Sequence, residues 1–170
     1  MLTLRQANPG DMEAVAAIFR RAVDDMDAKG IFQWDDIYPS KAALQRDIFN
    51  QEMFLICCDE RIVGAVVLNN RQEEEYAQGA WVFGGPSAVV HRLCIDPLEQ
   101  QHGYGRQAMT LAEAALTVRG FQSVRLDAFS QNPCALRLYE GLGYRKSGEV
   151  SFRKGLFYLY EKKLTPNIAL

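Results

Sequence analysis

The sequence predicts an α/β (α+β) fold, with one mixed central sheet of about six to seven strands and helices on both faces. Short apolar runs bounded by turn residues alternate with longer segments in which apolar residues recur at helical spacing. With 170 residues, 48% hydrophobic and 24% charged, the chain is long enough to bury one core. Because it shows no repeat, linker or change in composition, we expect a single domain over residues 1–170.

The first fifty residues predict a strand and two helices. Alternation over residues 2–7 predicts a first strand, and the sequence NPGD at 8–11 supplies a helix cap followed by a proline. Apolar residues from Val15 to Met26 recur at helical spacing before Gly30 stops the helix. Residues 31–40 have no period and predict a loop, after which a short helix runs from Lys41 to Asn50.

The rest of the chain alternates strands with two further helices. Two apolar runs, Phe54–Cys58 and Ile62–Leu68, predict a hairpin, and the polar stretch 69–86 with three consecutive glutamates predicts a solvated connection. The later segments are a strand at Val89–Ile95, a helix at Gly105–Arg119, a strand at Val124–Ala128, a helix at Pro133–Glu140, and strands at Tyr144–Val150 and Leu156–Lys163. The predicted order is β-α-α-β-β-β-α-β-α-β-β.

Composition argues against several classes of partner. A net charge of -2 with scattered basic residues disfavours nucleic acid, and no apolar run or basic leader predicts a membrane segment or a signal peptide. The four cysteines (Cys57, Cys58, Cys94 and Cys134) lack Cys-x-x-Cys spacing, which predicts reduced thiols and a cytoplasmic location. With His91 and His102 they do not complete a zinc ligand set, so we expect no metal.

The segment QQHGYGR at 100–106 lies between a predicted strand and a predicted helix. Gly103 and Gly105 allow the backbone to approach a ligand, and the N–H groups at a helix start carry the positive end of the helix dipole. Such a place suits a phosphate or pyrophosphate. The glycines alone fit a tight turn equally well, and the segment has neither the Rossmann nor the Walker pattern.

Two motifs resemble a known family. Gln-x-x-Gly-x-Gly at 100–105, after a strand that ends in LCIDP, is similar to the acetyl-CoA motif of the GNAT superfamily of N-acetyltransferases, of the small bacterial type. Asn132-Pro133 and the following LYEGLGY resemble the second motif of that superfamily, with Asn132 and Tyr139 on one short helix. The predicted element order also matches the GNAT fold over nearly the whole chain.

The resemblance implies an acetyl-CoA-dependent N-acetyltransferase that transfers acetyl directly from the thioester to a primary amine of a small molecule, protein or peptide. By that resemblance, strand residues Leu93, Cys94 and Ile95 bind the pantetheine arm as an added strand would. Asn132 binds the cofactor near the second helix. Backbone N–H groups hold the pyrophosphate in a loop that comprises Gln101, His102, Gly103, Tyr104, Gly105 and Arg106.

The same resemblance implies the catalytic groups. Tyr139 protonates the departing thiolate, and a backbone N–H freed by a bulge near Leu93 or Cys94 stabilises the oxyanion. Asp127 or His91 acts as the base, with Asp127 ranked slightly higher. The alternatives are that Tyr139 is a core aromatic, that Asp127 caps a loop or pairs with a nearby arginine, and that His91 is hydrogen-bonded at the sheet surface.

The acceptor side is expected in the loop after the first helix. Trp34 and Tyr38 provide aromatic walls and Asp35 and Asp36 provide negative charge, which suits a cationic amine. The alternative is that the aromatic residues fill the core while the acids face water.

Three further expectations concern mechanism and assembly. Cys94 and Cys134 lie close to the implied thioester, but neither has a histidine partner, so direct transfer is favoured. A non-catalytic acyl-CoA-binding or sensing domain is the alternative function. The last strand and the tail 167–170 suggest a homodimer.

Overall fold

The computed structural model describes residues 1–166, and the predicted order of elements is confirmed over that range. The elements are β1 Leu2–Gln6, α1 Met12–Ala28, α2 Lys41–Phe49, β2 Met53–Cys58, β3 Arg61–Asn69, β4 Ser87–Ile95, α3 Tyr104–Val118, β5 Ser123–Phe129, α4 Pro133–Gly141, β6 Arg145–Phe152 and β7 Gly155–Lys163. Most ends agree with the predicted ones to within two residues, but α1 begins at Met12 because the predicted first turn, Pro9–Asp11, is a 3-10 turn. The tail 167–170, to which we assigned a role in dimerisation, lies outside the described residues.

The strands form a mixed, open sheet in the order β1-β2-β3-β4-β5-β7-β6. Strands β4 and β5 pair in parallel, from Ser87 opposite Ser123 to Val89 opposite Arg125. The pairs β1–β2, β2–β3, β5–β7 and β6–β7 are antiparallel, and β2–β3 is the predicted hairpin. The predicted α/β class with a mixed sheet is therefore confirmed.

The chain divides into two compact units, and the prediction of one domain stays a prediction. The first unit contains residues 1–68 and 91–109, and the second contains residues 69–90 and the described residues from 110 onward. The predicted site residues between 91 and 106 belong to the first unit, and Asp127, Asn132 and Tyr139 belong to the second.

The core of the first unit explains why α1 forms where it does. Val15, Ile18, Phe19 and Ala22 recur at helical spacing and are all buried, so one face of α1 leaves water. They pack with apolar side chains of α2, β2 and β3 in one cluster. Burying each large apolar side chain contributes about 1.5–3 kcal/mol, which far exceeds helix propensity.

The second unit contains residues 69–86, which the sequence predicts to be a solvated connection. Glu74–Gln78 forms a 3-10 turn in which Tyr76 is buried, while Glu73 and Glu74 are exposed. Farther along, the buried carboxylate of Glu161 on β7 accepts a hydrogen bond from the Val82 N–H at 2.7 Å. The connection is therefore anchored by one aromatic ring and one buried acid.

Candidate functional site

The predicted pyrophosphate loop lies in the first unit, between β4 and α3. Asp96 ends β4 and caps the turn Pro97–Glu99, since its Oδ1 accepts from the Leu98 N–H at 3.1 Å. Arg21 on α1 donates two hydrogen bonds to Asp96, at 3.0 and 2.5 Å. This interaction holds the pKa of Asp96 below its ordinary value.

The loop backbone adopts two left-handed conformations just before α3 begins at Tyr104. Gln101 has φ 69° and Gly103 has φ 73°. Residues 101–103 are exposed. An exposed turn that leads into the N-terminus of a helix suits an anion such as pyrophosphate.

The side chains of the loop contact each other and Cys58 at the end of β2. The His102 ring lies edge-on to Tyr104, with centroids 5.3 Å apart, and the Tyr104 hydroxyl lies 3.4 Å from the sulfur of Cys58. Gly105 is half-buried and Arg106 is exposed. The predicted contacts of residues 101–106 with the cofactor stay predictions.

The predicted thioester strand contains an irregularity at Arg92. Arg92 has φ 51°, which is left-handed backbone in the middle of β4 and resembles the bulge expected near Leu93 or Cys94. On the neighbouring strand, a Cβ at Gly64 would collide with the Cys94 carbonyl oxygen, so only glycine fits there without a shift. The roles assigned to residues 93–95 and to half-buried His91 stay predictions.

A buried ion pair at Arg92 was missed by the sequence analysis. Arg92 donates to both carboxylate oxygens of Asp47 on α2, at 2.8 and 2.7 Å, and to the Tyr38 hydroxyl at 2.7 Å. The side chains of Arg92 and Asp47 are only 9% and 1% exposed. Burial raises the pKa of Asp47, and the Arg92 guanidinium opposes that shift. An arginine inside the apolar run AVVHRLCI was the signal that this pair existed.

The acceptor loop of the first unit gives a mixed result for the residues assigned to it. Trp34 is 8% exposed and packs against Phe19 with ring centroids 5.4 Å apart, as the core alternative expects. Asp35 accepts hydrogen bonds from the N–H groups of Ile37 and Tyr38 and so closes a turn. Tyr38 is exposed and bonds to Arg92 as described above. Contact with an acceptor stays a prediction for Trp34, Asp35 and Tyr38.

The second unit contains the predicted acid, Tyr139, on α4. Its ring is 8% exposed and packs against Tyr144 and Tyr160, with centroids 5.8 and 6.3 Å away. Burial, and then the charge of Asp127, raise the pKa of Tyr139, so the phenol keeps its proton at neutral pH. Among residues 1–166 the Tyr139 hydroxyl has no hydrogen-bond partner.

Asn132, seven residues before Tyr139, begins the same helix. Its Oδ1 accepts from the Ala135 N–H at 3.1 Å, which makes it the N-cap of α4. Helix α4 therefore starts at Asn132, and Tyr139 lies two turns later. Binding of the cofactor by Asn132 stays a prediction.

Asp127 on β5 is half-buried and accepts a hydrogen bond from the hydroxyl of buried Tyr76 at 2.7 Å. Arg125, the partner considered for it, donates to Gln72 at 3.0 Å and lies over the ring of Trp81 at 4.4 Å. The structure thus brings Asp127 and Tyr139 together electrostatically and adds Tyr76, which sequence reasoning missed. The role of Asp127 as base stays a prediction.

Residues 1–166 include the four cysteine thiols and the side chains that were considered as metal ligands. All four cysteines are free, and burial raises the pKa of Cys94 far above its ordinary value. No group of three or more histidine, cysteine or acidic side chains in this range lies where it would hold a metal ion. Nor does any helix there have the length and apolar character needed to cross a membrane.

Comparison with protein families decides the relationship of the chain. The sequence model of the acetyltransferase (GNAT) family matches residues 17–144, from within α1 to just past α4. The chain belongs to the GNAT family. The match includes both motifs, so the resemblance inferred from Gln100–Gly105 and from Asn132–Tyr139 is confirmed at the level of the family.

Curated relatives of this GNAT chain include a mycothiol acetyltransferase from Thermobispora bispora. It is 34% identical over 154 residues, which are 89% of this chain and 49% of the relative. A mycothiol acetyltransferase from Acidothermus cellulolyticus is 28% identical over 158 residues, which are 89% of this chain and 47% of that protein. The chain thus spans about half the length of the curated relatives that it matches.

Solved structures confirm the GNAT fold. A GNAT-family acetyltransferase from Streptococcus agalactiae has a TM-score of 0.82 at 21% identity and covers 95% of each chain. An N-acetyltransferase from Thermoplasma acidophilum, solved in complex with coenzyme A, has a TM-score of 0.72 at 18% identity and covers 96% of this chain and 99% of its own.

Proposed function

We propose that this GNAT protein is an N-acetyltransferase that uses acetyl-CoA and transfers the acetyl group directly to a primary amine. The observation that carries the proposal is Tyr139, a buried phenol that keeps its proton and whose hydroxyl has no partner among residues 1–166. Membership of the family and the exposed loop before α3 support acetyl-CoA as the donor. The coenzyme A complex of the Thermoplasma protein supports the same donor.

In the proposed reaction the amine nitrogen attacks the thioester carbon, a C–N bond forms and the C–S bond breaks. Tyr139 gives its proton to the departing sulfur. Asp127, or else His91, takes a proton from the ammonium, either directly or through water. Tyr76 donates to one oxygen of Asp127 and thereby fixes the orientation of the carboxylate.

Direct transfer is proposed over a route through an acetylated cysteine. The thiolate, not the thiol, is the nucleophile in such a route, and burial raises the pKa of Cys94 so that its thiol stays protonated. Cys134 is exposed at the start of α4, where its sulfur accepts a hydrogen bond from Arg137 at 3.4 Å. That contact is with an arginine and supplies no histidine base.

The acceptor is proposed only as a class. Asp36 is exposed on the loop after α1, which supports a cationic amine. The relatives named mycothiol acetyltransferase make the acceptor of that enzyme a reasonable member of any test panel.

Two measurements test this function. Calorimetry with acetyl-CoA is expected to show binding, and release of free CoA is expected with at least one amine of a panel of small amines and lysine peptides. The Tyr139→Phe protein and free CoA in place of acetyl-CoA serve as controls. Absence of binding at millimolar acetyl-CoA contradicts the proposal. Binding without CoA release for every amine supports the alternative of a non-catalytic acyl-CoA-binding domain.

A further inference from the structure

Arg92 has a backbone that its residue type does not favour. It lies in the middle of β4 with φ 51°, a left-handed conformation in which the Cβ of an L-residue crowds its own backbone. Such a conformation persists when the surroundings hold it in place. The surroundings of Arg92 therefore show what maintains the irregular strand.

The guanidinium of Arg92 is bound on all three of its nitrogens. Nε and Nη2 form a two-point pair with the Asp47 carboxylate, and Nη1 donates to the Tyr38 hydroxyl. A planar guanidinium that meets a carboxylate at two points is fixed in orientation as well as in position. Because the Arg92 and Asp47 side chains are almost fully buried, water competes little for the two bonds between them.

Contacts with β3 also hold the backbone after Arg92. The Cys94 carbonyl approaches Gly64 on β3 so closely that no side chain fits there, and the Asp96 N–H donates to the Val63 carbonyl at 2.8 Å. The direction of the peptide groups after residue 92 thus depends on the Arg92 side chain and on β3. The resemblance to the GNAT family implies that an N–H of these peptide groups donates to the thioester oxygen.

We propose that Arg92 and Asp47 are positioning residues for acetyl transfer. Their buried pair holds the bulge of β4 in place. A backbone N–H at Leu93 or Cys94 can then donate a hydrogen bond to the thioester oxygen as that oxygen becomes negative. The bond from Arg92 to Tyr38 connects the acceptor loop to the same strand. This inference rests on the proposed N-acetyltransferase function.

The first test is Asp47→Asn, which keeps the shape of the side chain but removes its charge and turns one amide N–H₂ toward the guanidinium. We expect kcat to fall by about 10²-fold, as when an oxyanion donor is displaced, with the Kd of acetyl-CoA changed by less than about twofold. Arg92→Lys keeps the charge but loses the planar fork, and it is expected to show the same division between kcat and Kd.

A matched control is available in the same unit. Arg5 and Asp11 also form a two-point pair, at 3.0 and 2.9 Å, which is more exposed and includes no predicted site residue. Asp11→Asn is expected to lower stability slightly and to leave kcat unchanged. A similar loss of kcat in Asp11→Asn and Asp47→Asn would mean that the loss is a general effect of stability, which contradicts the proposal.

Asp47→Asn leaves a buried guanidinium without its counter-charge and so risks unfolding. The double variant Asp47→Leu with Arg92→Met removes both charges and replaces them with apolar side chains, a change that often preserves stability. We expect this double variant to fold, to bind acetyl-CoA and to have a kcat as low as that of Asp47→Asn. Wild-type kcat in the folded double variant overturns the proposal, because the pair would then act only on folding.

Tyr38→Phe tests the link to the acceptor loop. Loss of one hydroxyl is expected to raise the KM of the acceptor and lower kcat by a few-fold, while the Kd of acetyl-CoA is unchanged. Unchanged acceptor KM and kcat would contradict the link. If the wild-type protein itself neither binds acetyl-CoA nor releases CoA, the proposed function fails and this inference fails with it. If the wild type is active and Asp47→Asn equals it, only the inference fails.

Discussion

The loop at residues 100–106 and the corner formed by Asp127 and Tyr139 present functional groups in opposite ways. In the loop, which contains the exposed residues 101–103, the predicted contacts come from backbone N–H groups, and Gly103 has a left-handed φ. In the corner a buried phenol and a half-buried carboxylate offer side-chain atoms. The loop should therefore tolerate changes of side chain that the corner does not tolerate.

The largest effect is expected in the corner, from Tyr139→Phe. The ring still fills its place between Tyr144 and Tyr160, so the fold should persist, but the proton donor is gone. We expect kcat to fall by about 10³-fold with little change in the Kd of acetyl-CoA, measured by CoA release and calorimetry. Since the raised pKa keeps the wild-type phenol protonated beyond its ordinary value of 10.0, this group should cause no loss of kcat between neutral pH and pH 10.0. Full kcat in Tyr139→Phe at every pH would remove Tyr139 from the mechanism.

Asp127→Asn is expected to have the next largest effect. Loss of the proposed carboxylate base should lower kcat by about 10²-fold, measured by CoA release. His91→Gln is the comparison variant, and it should change kcat by less than about threefold if Asp127 is the base. A larger loss in His91→Gln than in Asp127→Asn would transfer the role of base to His91.

In the loop, the comparison predicts one sensitive position that follows two tolerant ones. Gly103→Ala must hold φ near 73° with a Cβ present, at a cost of about 1–2 kcal/mol, which would weaken the binding of acetyl-CoA by about 5- to 30-fold. Gln101→Gly relieves the same strain at residue 101, and His102→Ala removes only a ring. Calorimetry should find both within about twofold of wild type. Weak binding in His102→Ala would show that the loop also depends on side chains.

The smallest effect is expected at Asp96, which caps the turn Pro97–Glu99 just before the loop. Asp96→Asn loses the charge that binds Arg21, and because Arg21 is partly exposed we expect a loss of about 1 kcal/mol in the free energy of unfolding at neutral pH. The pKa of Asp96 is lowered in the folded protein, so its contribution is present above the ordinary value of 3.8 and disappears as the pH falls through the folded-state pKa. Urea unfolding should show the two proteins converging in acid. A constant difference in acid would mean that the carboxylate charge is not the cause.

Most of the fold could be predicted because its signals are local. The spacing of Val15, Ile18 and Phe19, and the cap at Asn8, lie within a few residues of the elements that they define. The motif at the start of α3 and the motif on α4 are each local too, and the two together indicated the family.

The contacts that were missed join residues distant in the chain. Arg92 meets Asp47 and Tyr38 across 45 and 54 residues, and Tyr76 meets Asp127 across 51. Periodicity indicates that such residues lie in a helix, a strand or a turn, but it does not identify their partners. Trp34 shows the same limit, since an aromatic residue in an aperiodic loop gives no sign of whether it faces solvent or Phe19.

The close approach of Gly64 to the Cys94 carbonyl has a practical consequence for protein engineering. In a saturation library at residue 64, every larger amino acid has to displace the backbone of β4, so selection for activity should recover glycine almost exclusively. A library intended to broaden the range of acyl groups should therefore leave residue 64 unchanged.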